Sequence, residues 1–252
     1  MHAHGLTLRF FATPDSAARA LAREVARAVS GRPRFTLGLP TGRTPVPLYR
    51  ELARLHTQQR ADFSGVTTFN LDEFLGVAPF DPGSYRAFMQ RHLFSHVNIA
   101  PRRIHFLSGM TDDPGAECLR YERQIARAGG LDLLLLGLGT NGHIGFNEPG
   151  TSLVVDSHRT RLTEGTRRSN AALFGNRTAN VPTEALSMGM GTILRARRII
   201  LLATGPSKAV AVKRLVQGRI TPQVPASFLQ LHRAAEVWVD RAAAARLSVG
   251  GT

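Results

Sequence analysis

The chain has one cysteine, two lysines and no apolar run long enough to cross a bilayer, and each scarcity excludes something. A lone cysteine makes an internal disulfide framework impossible. Cys118 lies in a polar helical stretch, ECLRYERQI, with no His–Asp pattern near it, so it reads as a packing residue and not as a nucleophile. A membrane helix needs roughly 20 consecutive apolar residues, and none of that length exists here. The opening MHAHGLTLRFFATPDSAARALAREV has no basic start followed by a long apolar core, so no secretory signal is expected and the expected compartment is the cytoplasm. Only Lys208 and Lys213 are lysines; the other 30 of the 32 basic residues are arginines. The net charge of +14 is therefore arginine charge, and it is scattered along helical stretches such as RALAREVARAV and RAAAAR. There is no long basic block and no interleaving of aromatic with basic residues, so nucleic acid is not an expected partner. A small phosphorylated molecule suits the same positive field. There is also no low-complexity linker and no fixed-period repeat, which makes residues 1–252 one expected domain.

Apolar strands alternate with amphipathic helices along the chain. The patterns predict helices over 16–29, 46–55, 84–93, 114–128, 183–194, 208–217 and 226–231. They predict strands over 35–39, 66–71, 103–106, 131–136, 198–203 and 235–239, of which 131–136 (LDLLLL) is continuously apolar and so buried on both faces. Alternation of this kind predicts an α/β fold of three layers, α/β/α: a mostly parallel, Rossmann-like sheet with helices on both faces.

In such sheets ligands bind beyond the carboxyl ends of the strands, and four strand ends here carry suggestive residues. After Leu39 comes Pro40-Thr41-Gly42-Arg43-Thr44-Pro45. This hydroxyl-rich glycine turn feeds a helix N-terminus and suits an anion, though it also reads as a plain turn with Thr44 as N-cap. It lacks the Gly-Lys-Ser/Thr of a P-loop. After Leu71 come Asp72 and Glu73; neighbours on an extended segment point to opposite faces, so one carboxylate can face a site while the other packs or pairs. After Leu136 come Asn141, His143 and Glu148 within eight residues, and His143 is the one side chain there that titrates near neutrality unaided. After Ala203 comes Thr204-Gly205-Pro206-Ser207-Lys208, where Ser207 and Lys208 suit a phosphate at a helix start. Arg167 and Arg168, within 163–170, are further candidates to grip phosphate.

Two patterns are set aside. Gly137, Gly139 and Gly142 match G-x-G-x-x-G, but a polar, proline-ended segment follows where a dinucleotide site needs a helix, and no acid ends the next strand. Those glycines are expected instead to let backbone approach a small ligand. His92 and His96 have zinc-compatible spacing, but no third ligand stands in view, so no metal is expected.

These residues resemble the glucosamine-6-phosphate deaminases, relatives of the 6-phosphogluconolactonases. The carriers run from Phe35 to Val239: LGLPTGRTP (37–45), FNLDEF (69–74), SYRAFM (84–89), LGLGTNGHIGFNEPGTSL (136–153), TRRSNAALF (166–174), VPTEALSMGMGTIL (181–194) and TGPSKA (204–209). The GHIGFNEP run separates the deaminases from the lactonases, which look like GHTASLFP there. The resemblance implies that Asp72 moves a proton between C2 and C1 of an open-chain sugar and that His143 assists ring opening. It implies a supporting relay of Glu148 and residue 141, and a phosphate held by Thr41, Gly42, Arg43, Thr44, Arg167 and Lys208. It implies no cofactor and no metal. Asn141 stands where some members have Asp, so this position brings no charge to the relay. Arg43 replaces a usually small residue and is expected to point to solvent. The segment SHRTRLT (157–163) lacks the lysine that the allosterically activated members place in their effector site, so activation by N-acetylglucosamine 6-phosphate is not expected. Both a monomer and a homo-oligomer remain compatible with the sequence. Two other readings share the fold, a lactone hydrolase and the sugar-phosphate sensor of a transcription regulator. The FNEP run and Asp72 argue against the first, and the 34 residues before the first predicted strand leave no room for the DNA-binding domain of the second.

Overall fold

The computed structural model describes residues 2–3 (as backbone) and 5–248. Its strands are β1 (His2–Ala3), β2 (Leu6–Phe11), β3 (Phe35–Leu39), β4 (Val66–Asn70), β5 (Asp72–Phe74), β6 (Ile104–His105), β7 (Leu133–Gly137), β8 (His158–Arg161), β9 (Glu184–Ser187), β10 (Ile199–Ala203) and β11 (Ala235–Asp240). Its α-helices are α1 (Pro14–Val29), α2 (Val46–Thr57), α3 (Tyr85–His92), α4 (Pro114–Arg127), α5 (Glu164–Asn170), α6 (Met190–Leu194), α7 (Ala209–Gln217) and α8 (Arg241–Ala244).

The main sheet has the order β1-β2-β11-β10-β7-β3-β4-β6 and is parallel except where β1 meets β2. Residues of β7 divide between two cores. Leu134 and Leu136 pack with Tyr121 and Ile125 of α4 and Val212 of α7. Leu133 and Leu135 pack with Leu21 and Val25 of α1 and Leu52 of α2. That alternation is the period-2 geometry of a strand covered on both faces, and it makes the three-layer α/β/α arrangement that the alternating pattern predicts. Gly38 of β3 lets the central strands close up, because a Cβ there would stand 2.3 Å from a Leu134 methyl. From β3 the chain moves outward to β4 and β6, then returns to place β7 on the other side of β3. The β3–β7 junction is thus a topological switch point, where the loops leaving the two strands diverge and open a crevice.

A second, antiparallel sheet, β5-β9-β8, sits beyond the carboxyl end of β4. It covers a small core of its own, built on Phe74, Tyr85, Phe146, Leu162 and Ala185.

Several elements differ from expectation. The helix predicted over 183–194 is strand β9, then Gly189, then the short α6. Ala, Leu and Met favour helix locally, but β9 gains ladder partners on both sides, and Gly189 packs so tightly that a Cβ would meet the Asp156 carbonyl at 2.1 Å. Residues 225–231 form a 3-10 helix, and β2, β5 and β8 lie outside the strands that the apolar pattern predicts. Thr44 is not a cap: α2 begins after Pro45, with no side-chain capping bond. His92 ends α3 while His96 lies on a separate 3-10 turn, its Nε2 3.0 Å from the Arg91 carbonyl. Among the described residues no helix is long and apolar enough to cross a membrane.

Candidate active site

A cavity of about 670 Å3 opens over the β3–β7 junction. Its walls bring together Thr41, Gly42, Arg43, Thr44, Asp72, Asn141, His143 and Lys208, which the sequence places at four separate strand ends. Each arrives on a short, braced connection. The turn after β3 is held by the Tyr49 hydroxyl, which donates to the Pro40 carbonyl. The end of β4 is tied to β3 by Asn70 Nδ2, 3.2 Å from the Leu39 carbonyl, and to α4 by the Tyr121 hydroxyl, 2.5 Å from the Asn70 carbonyl.

Asp72 begins β5 and is 6% exposed. Its Oδ1 is buried without a hydrogen-bond partner. Burial, reinforced by the neighbouring Glu73 carboxylate, pushes its carboxyl up to about 8. Glu73 faces the other way and accepts hydrogen bonds from the backbone N–H groups of Phe74 (2.9 Å), Tyr85 (2.9 Å) and Arg86 (3.0 Å), the last two at the start of α3. One carboxylate therefore faces the cavity while the other braces a helix. A smaller cavity of about 320 Å3 lies on the Glu73 side, lined by Arg86, His105 and Arg120, and it shares no lining residue with the first.

His143 sits on the turn after β7. Its ring lies against Gly139 so closely that a Cβ there would come within 2.5 Å of the ring atoms. Gly139 thus makes room for the imidazole, whereas Gly137 faces open space and is the one that leaves backbone accessible to a ligand. No helix begins within these glycines; the segment turns through Gly142 (φ +97°) and Gly145 (φ +57°). Behind His143 stands Glu148, with Oε2 3.5 Å from Nδ1, the spacing of an ion pair and longer than a good hydrogen bond. Asn141 joins them: its Nδ2 donates to Glu148 Oε2 at 2.8 Å, and its Oδ1 accepts from the His143 backbone N–H at 3.1 Å. Burial works to raise the Glu148 carboxyl, but His143, Thr166 and Asn141 outweigh it and hold the group down to about 2. The Phe146–Asn147 turn is pinned to β9, with Phe146 N–H on Ser187 Oγ (3.0 Å) and Asn147 Nδ2 on the Met188 carbonyl (2.9 Å).

Lys208 closes the 3-10 turn after β10 at the head of α7, and its ammonium is pulled below the usual lysine range by burial and by Arg43. Arg43 is exposed but lines the cavity near enough to act on Lys208, so it does not simply point to solvent. Arg167 is not brought to the cavity: its Nε donates to the Val181 carbonyl (3.1 Å) and its Nη2 to the Thr178 carbonyl (3.0 Å). Arg168 pairs with Glu164 at 2.6 Å. The face of α5 that does line the cavity carries Thr166, Ser169 and Asn170, spaced i, i+3, i+4. That polar spacing is present in TRRSN and is the signal that finds this wall. Tyr85 is a further wall residue that its motif does not reveal, buried with its hydroxyl 3.0 Å from Asn170 Oδ1. Among the described residues no group of three or more His, Cys, Asp or Glu side chains is placed to hold a metal ion.

An unpaired carboxylate, a carboxylate-backed imidazole and two cationic side chains line one cavity over the switch point of a parallel sheet. That is the layout of an acid–base enzyme for a small anion. The chain belongs to the glucosamine-6-phosphate isomerase/6-phosphogluconolactonase family, whose model matches residues 12–238. It is 48% identical over 234 residues to glucosamine-6-phosphate deaminase 2 of Giardia intestinalis, covering 93% of this chain and 89% of that one. In structure it is similar to a monomeric glucosamine-6-phosphate deaminase of the NagB superfamily, with a TM-score of 0.93, 42% identity, and coverage of 96% of this chain and 100% of that one. The 6-phosphogluconolactonase of Trypanosoma brucei shares the fold, at a TM-score of 0.71 and 21% identity, over 96% of this chain and 99% of that one.

Proposed function

We propose that this protein is a glucosamine-6-phosphate deaminase, converting glucosamine 6-phosphate and water to fructose 6-phosphate and ammonia. The observation that carries the reading is the pairing of Asp72 with the His143–Glu148 couple in one cavity, on a chain nearly half identical to a curated deaminase.

The residues divide the work. Lys208 and Arg43, with the Thr41–Thr44 turn at the head of α2, take the phosphate; Arg167 holds backbone carbonyls instead and has no part in it. Binding energy from that remote group holds the sugar carbons against Asp72. His143 moves the proton between the anomeric hydroxyl and the ring oxygen as the C1–O5 bond breaks, and Glu148 stabilises the imidazolium while Asn141 fixes the carboxylate's orientation. Ionised Asp72 removes the C2 proton and returns it to C1, while the nitrogen loses one proton and the aldehyde oxygen gains one, leaving an imine at C2 and a hydroxyl at C1. Addition of water there and loss of ammonia give the ketose. Asp72 suits a shuttle because burial brings its carboxyl close to the working pH, where giving and taking a proton are nearly balanced. The chain functions as one domain, since the cavity draws on loops from Pro40 to Lys208. The similarity to a deaminase described as monomeric supports a monomer, and a phosphorylated sugar substrate supports a cytoplasmic reaction.

Ammonia release from purified protein tests the proposal, with glucosamine 6-phosphate, galactosamine 6-phosphate and 6-phosphogluconolactone supplied separately. The expected result is stoichiometric ammonia and fructose 6-phosphate from the first. Lactone hydrolysis without ammonia from either amino sugar would overturn it.

A further inference from the structure

The carboxylate of Glu148 is held from two sides, and only one of them belongs to its own loop. Oε2 faces His143 and Asn141, both on the turn after β7. Oε1 faces α5, where the Thr166 hydroxyl donates to it. Thr166 is 3% exposed and stands on the first turn of that helix. The Thr163 hydroxyl lies 3.1 Å from Thr166 Oγ1 and 3.2 Å from Glu148 Oε1, and it also caps α5 by accepting from the Thr166 backbone N–H at 3.2 Å. The three groups form a chain, Thr163 to Thr166 to Glu148, in which each hydroxyl polarises the next.

We propose that Thr166 is a positioning residue for the acid–base chemistry, its hydroxyl fixing the Glu148 carboxylate in the plane that serves His143. Without Thr166 the carboxylate is left with Asn141, an imidazole at 3.5 Å and a Thr163 hydroxyl at 3.2 Å that must also cap α5, and its last torsion is held less firmly. The Thr166 hydroxyl, on the opposite oxygen, restrains it. Asn141 makes the duty heavier, since an amide supplies one N–H to Glu148 and no charge of its own to His143. The same residue reaches the substrate side: Thr166 lines the cavity on the helix face that carries Ser169 and Asn170. Asn170 Nδ2 bonds the Thr166 carbonyl at 2.9 Å and its Oδ1 takes the Tyr85 hydroxyl, so Thr166 stands between the cavity wall and the relay. The hydrogen bonds that hold Glu148 down to about 2 include this one, in agreement with a firm donor at Oε1.

The inference rests on the deaminase reading, and the experiment separates the two. Thr166→Val keeps shape and loses the hydroxyl; Thr166→Ser keeps the hydroxyl. Removing a charge-assisted bond of this kind is expected to lower kcat by about 10- to 100-fold in the Val variant with KM changed less than about threefold, and the Ser variant is expected to recover most of the loss. Independently of turnover, the 13C resonance of the Glu148 carboxyl should titrate at higher pH in Thr166→Val than in the native protein or in Thr166→Ser. Native kcat together with an unmoved carboxyl titration in Thr166→Val overturns the proposal. So does an equal loss of kcat in Val and Ser variants, which marks a packing role. Absence of ammonia release from the native protein overturns the deaminase reading instead, and the carboxyl titration then decides whether Thr166 holds Glu148.

Discussion

Asp72→Asn is predicted to abolish turnover and at the same time to make the protein more stable, in a strongly pH-dependent way. An aspartate that titrates near 3.8 in an unfolded chain titrates at about 8 in this cavity. Between those values the folded state binds a proton that the unfolded state does not, so native stability falls as pH rises through this window. The full difference corresponds to on the order of 5 kcal/mol lost from acid to alkaline pH. Asparagine carries no such cost, although its carboxamide oxygen inherits the unpartnered position of Oδ1 and gives back on the order of 1–3 kcal/mol. The expected net gain is about 3 kcal/mol above pH 8, or about 6–12 °C in Tm for a chain of this size. Near pH 4 the folded carboxyl is protonated and the unfolded one is only about half ionised, so little of the cost has accrued and the gain should vanish there or reverse. Thermal unfolding of both proteins across roughly pH 4 to pH 9 measures this directly, with retained sugar-phosphate binding as a control on the site. A Tm difference that is constant across the range would mean that Asp72 is not buried as described. Near-normal ammonia release by the variant would refute its role as the shuttle.

Because the base form of Asp72 appears only as pH approaches about 8, kcat/KM for native enzyme should climb through the neutral range; an ascending limb near 4 would place the limiting group elsewhere. Lys208→Ala should raise KM by about 2–3 kcal/mol of lost charged hydrogen bonding, and Arg43→Ala by less, while Arg167→Ala should lower Tm and leave KM largely unchanged. A strong KM effect confined to Arg167 would relocate the phosphate. Gly139→Ala should displace the His143 ring and cut kcat by about 100-fold or more, read by steady-state kinetics, since the added methyl meets that ring at 2.5 Å.

The layered fold is legible in the sequence because its signals are local. LLLL (133–136) is apolar on both faces whatever surrounds it, and the strand–turn–helix from Phe35 through the start of α2 carries its own punctuation. The positions of Thr41, Asp72, His143 and Lys208 follow from the rule that parallel sheets bind at their carboxyl ends. What sequence does not show is what depends on tertiary pairing. β9 is a strand because β5 and β8 flank it, not because of its composition. Arg167 misleads because its guanidinium is taken by the Val181 and Thr178 carbonyls, partners that only the tertiary fold brings beside α5. The bearing of Arg43 on Lys208 emerges only when the sheet sets the ends of β3 and β10 on either side of β7.

The cavity is built where two sheets meet, joined by Leu186 of β9, which packs in the core of the large sheet. Its cationic end belongs to turns of the large sheet, while Asp72 opens the small antiparallel sheet and Phe146, on the loop that carries Glu148, packs in that sheet's own core. On the proposed orientation the molecule acts as a ruler: one body grips the phosphate, and the seating of the other decides which carbon lies under the carboxylate. A sugar phosphate one carbon shorter would be gripped as well and would present the wrong bond. On this reading, selection by length depends on how the two sheets are seated against one another as well as on the side chains that touch the sugar.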